Sequence, residues 1–405
     1  MDAAAERPRL VVVANHPIQY FAPLFRALAA ADAISIHVVF ISRKGLDPYF
    51  DPGFGQSFKW DIPLVEGYSS EFLSLPQEGP TPSTLKGWRR LGERLDRLDP
   101  DAVLVFGYSR WECWRAARWA RKHERDVLYL SDSSIGSPSS AVRRAVKHVV
   151  VRYFYRHVDI AFSTTENNRR YHQHLGMPVE KMRPSRLPID VDAIRRSADG
   201  DEDVRRTRIK LGIPPDAFVL VISGKLVPHK RPADVLDAVA GLPSQGPPVW
   251  VMYLGEGSSR SDLEERAWEL GIADRVVFTG FVNQREIGRF YASSDVLVMP
   301  SDREPHGLSA TEGAALGLPL LVSTAVGCLG RNDVARPDEN CLSFPPGDSD
   351  VLARHIQTLR SDGALRRRMG EASRVIADDQ DVSVAAACMV DAVTELDVAK
   401  KASGR

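Results

Sequence analysis

Residues 295–323 read Asp-Val-Leu-Val-Met-Pro-Ser-Asp-Arg-Glu-Pro-His-Gly-Leu-Ser-Ala-Thr-Glu-Gly-Ala-Ala-Leu-Gly-Leu-Pro-Leu-Leu-Val-Ser. An apolar run at 295–300 gives way to a polar turn holding Gly307, then to a helical stretch over 308–316 and a second apolar run at 319–323. Strand, helix and strand in that succession form the unit of a parallel sheet covered by helices. At the start of such a helix the first backbone N–H groups have no intrahelical partner, and the helix dipole favours negative charge there, so the place suits a phosphate. Glu304 stands just before the helix and Glu312 within it. A carboxylate beside a phosphate is repelled, so both are expected to accept hydrogen bonds from neutral hydroxyls such as those of ribose or a hexose.

The alternation extends to both sides. Strands are predicted at 219–223, 249–254, 276–279, 296–299 and 319–323, and an earlier series at 10–14, 34–41, 102–106, 127–131 and 160–164. Helices with one apolar face are predicted over 23–30, 87–98 and 110–122. A chain of 405 residues exceeds what one core usually organises, which favours two domains. The polar segment 195–207, with Asp-Gly-Asp-Glu-Asp in its middle, is the expected boundary between a domain over 1–200 and one over 205–380. Residues 47–75 are aromatic and rich in Gly and Pro; they are expected either to pack on their own domain or to shape a pocket.

Composition excludes several classes. Lys plus Arg equals Asp plus Glu at 53 each, so no global field draws the chain onto nucleic acid. The four cysteines, Cys113, Cys328, Cys341 and Cys388, have neither metal-ligand nor redox-pair spacing and read as buried thiols of a reducing cytoplasm. The apolar stretch 10–14 is too brief for a signal-peptide core, and no later run approaches a membrane span, so a cytoplasmic protein is expected. The basic stretch 143–157 fits either a half-buried helix or one lying weakly on an anionic membrane such as the inner membrane. Oligomeric state is not readable.

Two further loops of the second half carry chemistry. Ser-Gly-Lys225-Leu-Val-Pro-His-Lys230-Arg-Pro follows a strand, and two cations around one turn can reach a diphosphate from two sides and neutralise charge on a leaving group. Leu254-Gly255-Glu256-Gly257 turns sharply after a strand, and Gly280 allows Phe281 to lie against a planar ring, although Phe281 equally suits core packing. In the first half, Asn15-His16-Pro17-Ile18-Gln19-Tyr20 follows the first strand at the sheet edge where ligands gather in open α/β folds. His16, Gln19 and Tyr20 are candidates for sugar or acceptor hydroxyls, as are Tyr108 and Asp132 at two later strand ends; a satisfied structural histidine is the other reading of His16.

The frame Glu304-Pro-His306-Gly307-Leu308-x-x-x-Glu312, followed by Gly317-Leu-Pro319, resembles the signature of family-4 retaining glycosyltransferases of the GT-B fold. The loop His16-Pro-Ile-Gln-Tyr20 resembles a bacterial group within it. The resemblance implies two Rossmann-like domains with parallel sheets facing across a cleft, the first binding the acceptor and the second the nucleotide sugar, with a last helix, 382–400, crossing back onto the first. It places Glu304 against the donor sugar, Glu312 on the ribose, and Gly307, Leu308 and Ser309 amides, with His306 nearby, on the distal phosphate. Lys230 matches a family lysine; Lys225 stands where an arginine is usual, keeping the charge without its bidentate geometry. Gly280 and Phe281 fall in the stretch that borders the base.

The implied function is transfer of a sugar from a nucleotide donor, UDP- or GDP-linked, to a hydroxyl of a glycan, lipid-linked or small natural-product acceptor. No metal and no cofactor are expected, because the lysines and amides take the place of a divalent ion. Alternatives on the same architecture are a nucleotide-sugar epimerase, a phosphorylase or a non-catalytic sugar-nucleotide-binding protein. A dinucleotide-dependent oxidoreductase is disfavoured, since no Gly-x-Gly-x-x-Gly follows the first strand.

Overall fold

The computed structural model describes residues 7–75, 81–134, 140–198 and 200–403. From the N-terminus the elements are β1 (Arg9–Ala14), α1 (Phe21–Ala30), β2 (Ser35–Phe40), β3 (Tyr49–Asp51), β4 (Gln56–Phe58), β5 (Ser70–Phe72), α2 (Thr84–Leu98) and β6 (Ala102–Phe106). They continue as α3 (Trp111–Lys122), β7 (Asp126–Ser131), α4 (Ala141–Tyr155), β8 (Ile160–Ser163), α5 (Glu166–His174), β9 (Met182–Pro184) and α6 (Val191–Arg196). Next come α7 (Asp201–Lys210), β10 (Phe218–Ser223), α8 (Ala233–Ala240), β11 (Val249–Leu254), α9 (Arg260–Glu269), β12 (Val276–Gly280) and α10 (Ile287–Ala292). Then follow β13 (Val296–Met299), α11 (Leu308–Ala315), β14 (Leu320–Ser323), β15 (Cys341–Phe344), α12 (Ser349–Ser361), α13 (Gly363–Asp378) and α14 (Val382–Ser403).

The chain divides into two compact units, one of Met1–Pro48, Pro63–Pro188 and Val382–Arg405, the other of Tyr49–Ile62 and Ile189–Asp381. In the first unit seven parallel strands run in the order β5-β2-β1-β6-β7-β8-β9. Both faces of this sheet are covered, which is why its strands are continuous apolar runs and not alternating ones. Leu10 and Val12 join a core with Leu24 and Leu28 of α1 and Met389 and Val393 of α14. Val11 and Val13 face the other way, into a core with Leu91, Leu95, Ala116 and Phe154.

The second unit has six parallel strands in the order β12-β11-β10-β13-β14-β15. In chain order this is 3-2-1-4-5-6, so the strand order reverses between β10 and β13. Open sheets bind ligands beyond the carboxyl ends of the strands at such a reversal. In the first unit the reversal lies between β1 and β6.

Two details differ from the sequence-based expectation. The chain enters the second unit at Ile189, ahead of the polar run, because α6 docks there: Val191 and Ile194 are buried, and Arg195 donates to the Ala315 carbonyl (3.2 Å). The short helix expected after the linker is α7, whose Arg208 ties it to the unit through Asp295 (3.1 Å) and the Ser293 carbonyl (3.0 Å). The aromatic segment 47–75 is also split. Tyr68 and Phe72 pack on Phe25 and Phe40 of the first unit, whereas Tyr49–Ile62 belongs to the second and forms an antiparallel hairpin pairing Tyr49 with Phe58 and Asp51 with Gln56.

Candidate active site

The site of the second unit is built from the loops after β10 and β13, the strands on either side of the reversal. The first loop leaves β10 through Gly224, runs past Lys225 and closes in a 3-10 turn, Pro228–Lys230. The second runs from Pro300 to Gly307, where α11 begins. Asp302 N donates to the His229 carbonyl (3.0 Å) and ties the two loops together. A cavity between them is lined by Gly224, Lys225, Lys230, Pro300 and Ser301.

Glu304 and Lys230 meet in an ion pair across this gap, the carboxylate side chain 15% and the lysine 27% exposed. The Glu304 backbone is fixed independently of its side chain: it forms a parallel bridge with Val326, and Gly327 N donates to its carbonyl (2.8 Å). A Cβ on Gly327 would lie 1.9 Å from the Pro305 carbonyl oxygen, so only glycine allows this approach. Burial, and after it the Lys225 ammonium, push the Lys230 ammonium down to about 8. The Glu304 carboxylate beside it is the opposite charge that favours the protonated form.

Gly307 sits at φ +96° as the N-cap of α11, and a Cβ there would meet Met299 Cε at 2.7 Å. The helix start has no side-chain cap, and Leu308 and Ser309 form its first turn. His306 is buried. Glu312 is 2% exposed, and its Oε2 accepts a hydrogen bond from Tyr291 Oη (2.8 Å). One carboxylate oxygen expected to serve a ribose hydroxyl thus holds a buried tyrosine of α10.

Gly255 and Gly257 let the loop after β11 lie directly on the one after β10. Cβ atoms there would fall 1.9 Å from the Gly224 oxygen and 2.3 Å from the Leu226 oxygen, and Leu226 N donates to the Glu256 carbonyl (2.9 Å). Gly280, at φ +76°, bridges back to Gly255. The Phe281 ring stacks on Phe58 (centroids 4.3 Å) and meets Phe54 (5.1 Å) and Trp60 (5.8 Å). Lys225 is occupied too, its Nζ 2.8 Å from Asp51 Oδ1.

The candidates of the first unit lie beyond β1, β6 and β7, which are neighbours in the sheet. His16 is half-buried, and burial together with the nearby Lys44 charge lowers its pKa, so the imidazole is neutral at pH 7. Gln19 and Tyr20 are half-buried, and Tyr20 opens α1. Beyond β6, Tyr108 Oη lies 3.4 Å from Tyr171 Oη, and burial pushes its pKa up to about 12. Asp132 is exposed; its neighbours Ser131 and Ser133 are held through their carbonyls by Asn168 Nδ2 (3.0 and 2.6 Å). Among the described residues no group of three or more His, Cys, Asp or Glu could hold a metal ion, and all four cysteines are free thiols.

Residues 203–375 match the family model for glycosyl transferases group 1. The match lies within the second unit. LpsE of Rhizobium meliloti, a lipopolysaccharide core biosynthesis glycosyltransferase, is 35% identical over 164 residues, which are 40% of this chain and 46% of that one. EpsD of Bacillus subtilis is 27% identical over 338 residues, 81% of this chain and 86% of that one. The chain spans about half the length of LpsE and of a D-inositol 3-phosphate glycosyltransferase of Streptomyces bingchenggensis, 46% and 47%. HepE of Anabaena, crystallised in complex with UDP, aligns with a TM-score of 0.75 at 17% identity, covering 96% of this chain and 100% of that one. The fold is GT-B.

Within the second unit, motif reading missed Tyr291 and Asp51. Tyr291 carries a weak signal, since a buried tyrosine hydroxyl needs a partner. The Asp-Pro-Gly sequence at 51–53 announces a turn, but nothing local says which unit the turn joins.

Proposed function

We propose that the protein transfers a hexosyl group from a nucleoside-diphosphate sugar to an acceptor hydroxyl, with retention of anomeric configuration. The observation that carries the reading is the Lys230–Glu304 pair at the strand reversal of a group 1 domain, beside Lys225 and the uncapped start of α11. In this reading the second unit holds the donor and the first the acceptor. The acceptor oxygen bonds to the anomeric carbon on the face from which the diphosphate leaves, and its proton passes to the departing phosphate oxygen. Lys225, Lys230 and the Leu308 and Ser309 amides meet the charge that gathers on the diphosphate, in place of a divalent ion. Glu304, with backbone fixed at Val326 and Gly327, orients the sugar and stabilises positive charge at the anomeric carbon.

HepE was crystallised with UDP, which makes UDP-sugars the first donors to test, ahead of GDP-sugars. The decisive experiment incubates the chain with UDP- and GDP-sugars, with and without EDTA and with pooled glycan, lipid-linked and small hydroxyl acceptors. Acceptor-dependent release of nucleoside diphosphate, unaffected by EDTA, supports the reading. Interconversion of the donor sugar without an acceptor would replace it with an epimerase, sugar 1-phosphate formation with a phosphorylase, and binding without turnover with a binding protein.

The free thiols accord with a cytoplasmic location, and α4 with contact to an anionic bilayer. Val142, Val146 and Val149 are 72%, 57% and 68% exposed along one stripe of α4, beside exposed Arg143, Arg144 and Arg152, and no acidic residue lies in the helix. No helix among the described residues is long and apolar enough to cross a membrane. Co-sedimentation with phosphatidylglycerol vesicles, lost in Val146→Asp and absent with phosphatidylcholine, is the expected result; equal recovery on both lipids rejects the contact.

A further inference from the structure

The Tyr49–Ile62 hairpin is inserted in the first half of the chain yet seated on the loops that carry the candidate donor site. Its base is anchored by Asn283, whose Nδ2 donates to the Lys59 carbonyl (2.7 Å) and whose Oδ1 accepts from Asp61 N (3.3 Å), and by the stack of Phe58 on Phe281. Those contacts hold the base of the hairpin. The tip does something they do not require. Asp51 Oδ1 lies 2.8 Å from Lys225 Nζ, and the same oxygen accepts from Gly53 N (2.8 Å) and Phe54 N (3.2 Å). The Phe54 ring lies 5.0 Å from the ammonium. The lysine crosses the tip at Gly53, where a Cβ would sit 2.6 Å from Lys225 Nζ.

The arrangement copies what a phosphate would do. One carboxylate oxygen receives two backbone amides and an ammonium, and the charge neutralised is one of the two assigned to the diphosphate. Although burial raises the carboxyl's affinity for protons, the Lys225 ammonium and the two amides outweigh it and hold Asp51 below the usual carboxylate range, so the group is an anion at neutral pH. Two anions cannot share one partly exposed lysine without mutual repulsion.

We propose that Asp51 is a built-in competitor of the donor's diphosphate for Lys225, so that the hairpin tip sets how tightly the site holds any ligand bearing a diphosphate. The inference rests on the donor-site reading given above. It assigns a specificity-determining role to a residue outside the group 1 match: ligands whose charge does not reach Lys225 bind without displacing Asp51, and diphosphates bind only by displacing it.

Inorganic pyrophosphate, which carries the diphosphate without a base or sugar, is the probe. Its dissociation constant is measured by calorimetry for the full chain, Asp51→Asn, Lys225→Ala and the double variant. Asparagine keeps an oxygen for the Gly53 and Phe54 amides and removes the charge. Asp51→Asn is expected to bind pyrophosphate about three- to tenfold tighter than wild type, a range set by the modest strength of partly exposed ion pairs. Lys225→Ala is expected to bind several-fold more weakly, and adding Asp51→Asn to it should change affinity by less than about twofold. If Lys225→Ala weakens binding while Asp51→Asn leaves it unchanged or weaker, the competition is overturned and the donor site stands. If Lys225→Ala has no effect in either background, the diphosphate assignment of Lys225 itself falls, and the proposal with it. An independent check needs no variant: carbon-detected titration of the Asp51 carboxyl should show its pKa rising when pyrophosphate saturates the wild type, and an unchanged titration overturns the proposal.

Discussion

The two sheets reverse strand order at corresponding places, β1 beside β6 in the first unit and β10 beside β13 in the second, yet the chain furnishes the two places differently. Beyond β10 and β13 stand Lys225, Lys230 and Glu304 on loops that glycines bring into backbone contact. Beyond β1 and β6 stand a neutral His16, Gln19 and Tyr108, with room around Gly107. One topology provides both positions, and in the proposed reading charge and close backbone approach fit the second to an anion and the first to neutral hydroxyls.

The sharpest way to break this contrast is Lys230→Ala. It should lower sugar transfer by about 10²–10³-fold, as removal of a group facing transition-state charge usually does, while His16→Ala leaves the donor's dissociation constant within about twofold. Comparable donor-affinity losses in both variants would erase the division of labour. Next come the glycines. Gly255→Ala drives a Cβ to 1.9 Å from the Gly224 oxygen and should cost about 3 kcal/mol in chemical unfolding. Gly107→Ala has only its φ of +76° to oppose it, with nothing within 4 Å, and should cost about 1 kcal/mol.

A smaller effect comes from pH. The Lys230 ammonium, lowered to about 8, is fully charged below that value and lost as pH rises through it, so diphosphate affinity should fall about tenfold from pH 7 to pH 9. Lys230→Arg should flatten that profile, because the guanidinium does not titrate there; an unchanged slope would place the titrating group elsewhere. Smallest of all, Tyr108→Phe should raise the acceptor's KM about threefold with donor affinity unaltered. A change confined to donor affinity would move Tyr108 out of the acceptor side.

Much of this was legible in the residues. The continuous apolar runs at 10–14 and 219–223 mark strands buried on both faces, and the strand–turn–helix around Gly307 and the charged loop at Lys225 and Lys230 follow from local chemistry. What escaped were contacts between segments distant in sequence. Tyr291 on Glu312 and Asp51 on Lys225 depend on where the fold carries each element, and no local pattern distinguishes them from any buried tyrosine or turn aspartate. Phe281 suits two readings because base stacking and packing ask for the same side chain, and its stack on Phe58 of β4 is a contact between distant segments that no local pattern announces. Short strands such as β9 and β15 were missed for a related reason, since three or four residues carry too little pattern to stand out.

The position of α14 bears on how the molecule is made. Its Ala385, Met389 and Val393 complete the core that Leu24 and Leu28 begin, so the first unit is finished by residues that leave the ribosome after the whole second unit has been synthesised. At about 5–20 residues per second the early sheet waits tens of seconds with one apolar face only partly covered. The second unit's two ends meet side by side through the Ile189–Asp381 bridge, and Val191 N bonds Asp381 (3.1 Å), so that unit can close on itself during the wait and deliver α14 beside the point where the chain left the first. Nascent-chain folding should therefore mature in the order second unit, then first, the reverse of the order in which their opening strands are translated.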